Sequence, residues 1–233
     1  MSKKLLIFGD GEIADLAFFY FSKKSDYNIS AFIVDNPKQE KFKNLPLVSS
    51  KEFENEFPSD KYLVHVALSY QNLNKNREAK FKYFEDKNYN FASYISDKST
   101  VLTDKKNLGR NLFILEEQSI QTGVKIGDNV MIWSNNHIGH NSFIGNHTYI
   151  SSNVTISGHC KIGERCFFGV NSCVSDFCEI GDDCFVTMGS IVNVNLKNEA
   201  RNFIQSCFKK NCEKLIFFRC FLQIISMSFA LVF

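Results

Sequence analysis

The chain of 233 residues carries 27 lysines and arginines against 25 aspartates and glutamates, a formal net charge of +2. That balance supplies no basic field for nucleic acid, which is not expected as a partner. With 44% apolar residues the chain can bury a core, and its start, MSKKLLIFGDG, has no apolar run of signal-peptide length before the glycines, which predicts a cytoplasmic protein.

Residues 1–95 read as strands alternating with helices. KLLIFGDGEIADLAFFYF is an apolar strand, a glycine turn and a helix. ISAFIVD is a second strand ending at Asp35, and KYLVHVALS is a third, placing His65 inside a strand as a core or edge residue. LNKNREAKFKYFEDK is a charged amphipathic helix, and NFASYIS a short final strand. This alternation predicts a small parallel sheet. Gly9, Gly11 and Ala14 form a GxGxxA turn at the first strand-to-helix junction. Such turns let backbone N–H groups approach a phosphate at a helix N-terminus, and a tight turn without a ligand is the alternative. The unit is too short for a full dinucleotide fold, which favours a nucleoside diphosphate attached to another group.

Residues 96–192 carry a repeat. Every sixth residue from Leu102 to Val192 is apolar, among them Ile114, Ile120, Ile126, Ile132, Ile138 and Ile144. Neither an α-helix nor a simple strand has that period, whereas a hexapeptide parallel β-helix does. The residue four after each anchor tends to be small, as at Ser142, Thr148, Cys160, Cys166, Ser172, Cys178, Cys184 and Ser190. A narrow triangular prism needs small inward residues there, so these four cysteines are expected to be buried thiols stacked on successive coils. All eight cysteines follow residue 159 and no CxxC pair occurs, which argues against a zinc ribbon. Leu108-Gly109 and then the Ile-Gly pairs ending at Gly127, Gly145, Gly163 and Gly181 recur every 18 residues. Eighteen residues make one coil of three faces, and these glycines are expected to supply positive φ at a corner. Asn135, Asn153 and Asn171 recur at the same interval and predict an asparagine ladder.

From residue 193 the pattern stops. Residues 215–233 are a largely apolar run interrupted by Arg219 and Gln223 and preceded by Lys209, Lys210 and Lys214. Residues 193–233 are therefore an atypical tail with three readings: a packed hydrophobic helix, a membrane-contacting anchor, or an altered reading frame.

The combination of FGDGEIA with HIGHNSFIGNHTYISSNVTISGHCKIGERCFFGVNSCV resembles the nucleotide-sugar N-acyltransferases of the bacillosamine and sialic-acid pathways, over roughly residues 3–192. The resemblance implies a Rossmann-like α/β domain followed by a left-handed parallel β-helix of hexapeptide repeats. It implies transfer of an acyl group, from acetyl-CoA or another acyl-CoA, to the amine of a UDP- or dTDP-linked amino sugar for surface glycan synthesis. It further implies a homotrimer with acyl-CoA in a groove between neighbouring prisms. His140, in HNSFIG, matches the family's general base, and Asn141 stands where an often acidic residue orients its ring. Gly158, in ISGHC, matches a glycine whose N–H meets the thioester carbonyl, and Gly9, Gly11 and Asp35 match the nucleotide-contacting turn and strand end. The family's closing Gly-x-Pro-Ala segment is missing, since no proline follows Pro58 and no glycine follows Gly189.

The chemistry is coherent without that resemblance: a histidine can take the proton of an attacking amine at neutral pH, and a fixed backbone N–H can hold the oxyanion. His137 is a candidate substrate contact, while His147 and His159 are expected as exposed corners. The γ-class carbonic anhydrases also use hexapeptide prisms, with zinc on two histidines five residues apart plus a third. Here the gaps are 3, 7 and 12, so no metal is expected. A sugar hydroxyl as acceptor, or a scaffold inactivated by its tail, are the alternatives to amine transfer.

Overall fold

The computed structural model describes residues 3–202, and the apolar run at 215–233, with all three readings of it, lies outside the described residues. The N-terminal part is a six-stranded sheet built from β1 (Lys3–Phe8), β2 (Tyr27–Val34), β3 (Lys41–Phe42), β4 (Leu45–Ser49), β5 (Leu63–Val66) and β6 (Asn90–Phe91). Their order is β3-β4-β2-β1-β5-β6, and only the β3–β4 hairpin, which the pattern of the sequence did not reveal, is antiparallel. Central β1 is covered on both faces, hence its unbroken apolar run Leu5–Ile7 at zero exposure. Helix α1 (Glu12–Lys24) buries Ala14, Ala17 and Phe21, and α2 (Lys75–Asp86) buries Arg77, Phe81 and Phe84, both at helical spacing.

The rest is the prism. Its two-residue strands stack into three parallel sheets of six, four and seven strands. Partners are 18 residues apart along most of its length, as in His137↔Thr155, Phe143↔Lys161 and Tyr149↔Phe167. Pairing begins at Tyr94 and reaches Asn202, where Arg201–Asn202 pairs with Phe185–Val186 in a coil two residues short. The interior is the column of six-residue anchors with the small residues between them, and Ser142, Cys160, Cys166, Ser172, Cys178, Cys184 and Ser190 are all buried. The five cysteines described are free thiols, and burial pushes Cys160 and Cys178 upward, away from the reactive thiolate.

The structure departs from the repeat pattern at two points. Leu102 is not an inward anchor: Val101 pairs with Ile120, and Leu102 is 59% exposed. The short 3-10 turn Lys105–Asn107 adds a residue to this first coil and resets the frame at Leu108. The Ile-Gly glycines do not provide the positive φ. That conformation falls two residues later, on Asn111, Asn129, His147, Arg165 and Asp183, with φ of 54–62°. The glycines are needed for close approach instead: a Cβ on Gly145 would lie 2.4 Å from the Gly163 carbonyl oxygen one coil away. One rung of the asparagine ladder is present, with Asn135 Nδ2 donating to Asn153 Oδ1 at 2.7 Å, and all three asparagines are at positive φ.

The two parts share one apolar seam on the outer face of the seven-stranded sheet, in which Phe21 packs against Tyr94 and Phe113 at one end and Tyr70 against Tyr149 and Phe167 further along. Helix α2 runs along one prism corner. Arg77, fully buried, donates from Nη2 to the His147 carbonyl at 2.7 Å and to Asn74 Oδ1 at 2.8 Å, and from Nη1 to the Asn129 carbonyl. Asn74 continues the seam by donating to the Arg165 and Cys166 carbonyls. His147 is therefore not an exposed corner. It is 5% exposed beneath α2, its Nδ1 bonded to Asn129 Nδ2 at 2.9 Å, and burial pulls its pKa down to about 4. His65 is likewise a buried core residue, with Nδ1 bonded to the Ala92 carbonyl and its pKa pulled down to about 4 by burial. Among the described residues no helix is long and apolar enough to cross a membrane.

Candidate active site

His140 follows the strand His137–Ile138 and stands exposed at a prism corner, immediately before Asn141 at φ 57°. The same corner recurs one coil on at His159, φ 58°, and again at Phe177, φ 62°. The His140 ring meets the His159 ring edge-on at 4.9 Å and 87°, and His159 stacks flat on Phe177 at 4.9 Å and 6°. His159 is exposed, as its corner position predicts. His137 lies half-buried on the outer face of its sheet, in line with Ser119 and Thr155 of adjoining coils.

The groups around the ring differ from those expected. Asn141 does not orient it; its backbone N–H donates to the Thr122 carbonyl and its side chain sits above Gly123. The ring partner is Gln121, whose Oε1 lies 3.1 Å from His140 Nδ1 and also accepts the His140 backbone N–H at 2.8 Å. Gly158 lies against the ring, but its N–H already donates to Asp176 Oδ1 at 2.9 Å and is not offered to a thioester carbonyl. Its contribution is space: a Cβ there would come within 2.8 Å of His140 Cε1 and 3.0 Å of Nε2. Gly158→Ala is thus expected to leave the prism folded, because an exposed ring can swing away, yet to displace that ring. Any reaction that depends on it should slow about 10²-fold, the cost of misplacing a reacting group by about an ångström. Turnover and thermal midpoint measured together check this, and unchanged turnover in a folded variant would contradict it.

A cavity of about 710 Å³ opens between the two parts of the chain. On one side are Gly11 and Glu12 at the start of α1, with Leu68, Ser69 and Tyr70 after β5. On the other are Trp133 and Tyr149 of the prism, joined by a hydrogen bond from indole Nε1 to the phenol oxygen. Gly11 faces open space, with nothing within 4 Å of where a Cβ would stand, so a ligand can approach its backbone. Gly9 does not contact this cavity. Its N–H donates to the Ile33 carbonyl at 2.9 Å, and its φ of 127° and the Ala67 carbonyl, 2.8 Å from a would-be Cβ, make it a structural turn glycine. Asp35 also lies outside the cavity lining. Its carboxylate accepts from Lys80 Nζ at 2.6 Å and Ser50 Oγ at 2.9 Å. Partial burial pushes this carboxyl upward, but the Lys80 and Ser50 bonds outweigh it and hold the group below the usual carboxylate range. Trp133 and Tyr149 lie at outward positions of the hexapeptide repeat and Tyr70 lies before it, so none of the three carries a signal there.

His140 is not among the residues lining the cavity. Trp133 and Tyr149 border the seven-stranded sheet, whereas His140 follows a strand of the prism's six-stranded sheet. Among the described residues no cluster of three or more His, Cys, Asp or Glu side chains could hold a metal ion.

Residues 123–158 match the family model for the bacterial transferase hexapeptide, six repeats, and residues 160–193 that for the hexapeptide repeat of succinyl-transferase. No curated protein matches the chain in sequence. Among solved structures the chain is similar to the acetyltransferase domain of PglB from Neisseria gonorrhoeae FA1090 in complex with acetyl coenzyme A, at TM-score 0.75 and 16% identity, covering 86% of this chain and 96% of that one. It is also similar to PerB from Caulobacter crescentus in complex with CoA and GDP-perosamine, at TM-score 0.74 and 18% identity, covering 86% and 94%. Residues 123–193 are thus hexapeptide repeats, and the chain has the fold of these acetyltransferases, a small Rossmann-like α/β domain followed by a left-handed parallel β-helix.

Proposed function

We propose that this protein is an acyl-CoA-dependent N-acyltransferase, using acetyl-CoA and acting on the amine of a nucleotide-linked amino sugar destined for surface glycan. The observation that carries the reading is His140: an exposed imidazole held at Nδ1 by Gln121 and lying over Gly158. An amine attacking a thioester must lose a proton, and a neutral imidazole takes it as the tetrahedral intermediate forms and collapses to amide and free thiol. Support comes from the two-part fold shared with an acetyl-CoA-bound and a CoA- and GDP-perosamine-bound acetyltransferase. The cavity above Gly11 is the place for the nucleotide sugar, with backbone N–H groups at the start of α1 toward the phosphates and the aromatic pair Trp133 and Tyr149 on the prism side. His137 is a secondary substrate contact on the face leading to His140.

The working form is a homotrimer. Within one chain the cavity and His140 belong to different sheets, so a neighbouring prism can bring its histidine to the sugar. Phe143, Phe177, Met188 and Ile191 of the prism are exposed by 44–74% in the single chain and fit a surface that a second copy covers. The reaction is expected in the cytoplasm, where acyl-CoA is available.

A free-thiol release assay tests the reading, run with acetyl-CoA against UDP-, dTDP- and GDP-linked amino sugars, including 3-amino and 4-amino forms. Release with one of them is expected. Release only with a sugar lacking a free amine would reassign the acceptor to a hydroxyl, and no release from a trimeric preparation would overturn the reading.

A further inference from the structure

We infer that Gln121 is the positioning residue of this site, and that it fixes His140 as the Nδ1–H tautomer with Nε2 as the proton acceptor. The inference rests on His140 being the base and concerns what makes it one. Two donors converge on a single atom. The His140 backbone N–H reaches Gln121 Oε1 at 2.8 Å and the ring Nδ1 reaches the same oxygen at 3.1 Å. A backbone N–H can only donate, which fixes the oxygen end of the Gln121 amide at this point. An amide oxygen can only accept, so the ring nitrogen facing it must carry the proton. The lone pair of the neutral imidazole is then on Nε2. Neither step depends on seeing a hydrogen atom.

The cradle is completed by Gly158 lying against the ring and His159 edge-on at 4.9 Å. Among the described residues, the titratable groups facing His140 are His159 on the next coil and, behind Gly158, Asp176, whose Oδ1 is engaged by the Gly158 N–H. A carboxylate at Nδ1 would stabilise imidazolium and make a stronger base that is protonated at higher pH. A neutral amide fixes the same tautomer without that charge. Such a site suits an amine acceptor, which needs a positioned base more than a strong one. The 19-residue interval is one 18-residue coil plus one, so the contact is built by coil stacking and not by local sequence.

The test uses the full-length protein with Gln121→Met, which keeps length but has no carbonyl oxygen, and Gln121→Glu, which restores an oxygen and adds charge. Gln121→Met is expected to lower kcat about tenfold, the worth of one hydrogen bond, with KM unchanged. Gln121→Glu is expected to recover kcat at high pH and to move the acid limb of kcat/KM upward by about one pH unit, slowing the enzyme most below that limb. A merely structural Gln121 would leave the limb in place, and that result overturns the inference. Nitrogen chemical shifts in 15N-histidine-labelled protein, with His140 assigned by its loss in His140→Ala, read the tautomer directly. Nδ1–H in the wild type changing to Nε2–H in Gln121→Met supports the assignment. The same tautomer in both overturns it, even in a preparation with no detectable turnover, so failure of the base assignment and failure of this inference are told apart.

Discussion

Replacing His140 by alanine is expected to reduce kcat about 10²–10⁴-fold, the range for losing a general base, while the oligomer and its thermal midpoint stay close to wild type. The two halves of that expectation have separate causes. The ring is exposed at a corner, outside the anchor column, and its contacts are the Gln121 oxygen, the Gly158 surface and the His159 edge. Deleting it removes almost no buried apolar area, so stability has little to lose. On the proposed mechanism the reaction loses its proton acceptor, because the nearest other imidazole among the described residues, His159, is pinned flat on Phe177. His137→Ala should do less, since that residue lies on the outer face of a strand and away from the Gln121 cradle. Turnover and gel filtration on both variants decide the matter: wild-type-like turnover in His140→Ala would remove the residue from the mechanism.

The inward residues of this fold are legible in sequence because each of them repeats. Six-residue spacing of apolar anchors gives the prism, and 18-residue spacing gives the coil. Where the period slips, at Leu102, a 3-10 turn has inserted one residue, and a pattern of apolar types could not register it because Leu102 is itself apolar. The Ile-Gly glycines were visible while their reason was not, since backbone approach between coils and positive φ call for the same residue. Of the candidate site, part is legible in the repeat. His140 and Gly158 stand out, being one coil apart, and counting 19 residues back from His140 would have found Gln121. Gly9 and Asp35 sit in the right turn and at the right strand end, yet their polar groups are spent on Ile33 and on Lys80 with Ser50. Trp133 and Tyr149 could not be read, because an outward residue on a prism face is constrained only by whatever docks there.

Arg77 carries much of that docking. His147 belongs to a corner that would be solvated on a bare prism, and α2 covers it by inserting Arg77. The guanidinium is taken out of water, which pulls its pKa down to about 10, and its bonds go to the carbonyls of Asn129 and His147 and the Asn74 amide oxygen, not to a carboxylate. Several acceptors depend on this one side chain. Arg77→Ala strands them in a buried seam and is expected to cost about 3 kcal/mol or more, since each hydrogen bond to a charged group is worth about 1.5–3 kcal/mol. Arg77→Lys should recover only part of that, because a single ammonium lacks the planar fork that spans separate carbonyls. The loss should also be local. The prism keeps its own column of anchors, so α2 and the N-terminal sheet are expected to become protease-sensitive before the coils do. Urea unfolding with limited proteolysis checks both parts. A loss below about 1 kcal/mol, the worth of one ordinary neutral bond, or simultaneous cleavage of both parts, would show that the apolar seam of Phe21, Tyr94, Phe113 and Tyr149 holds the halves together without the arginine.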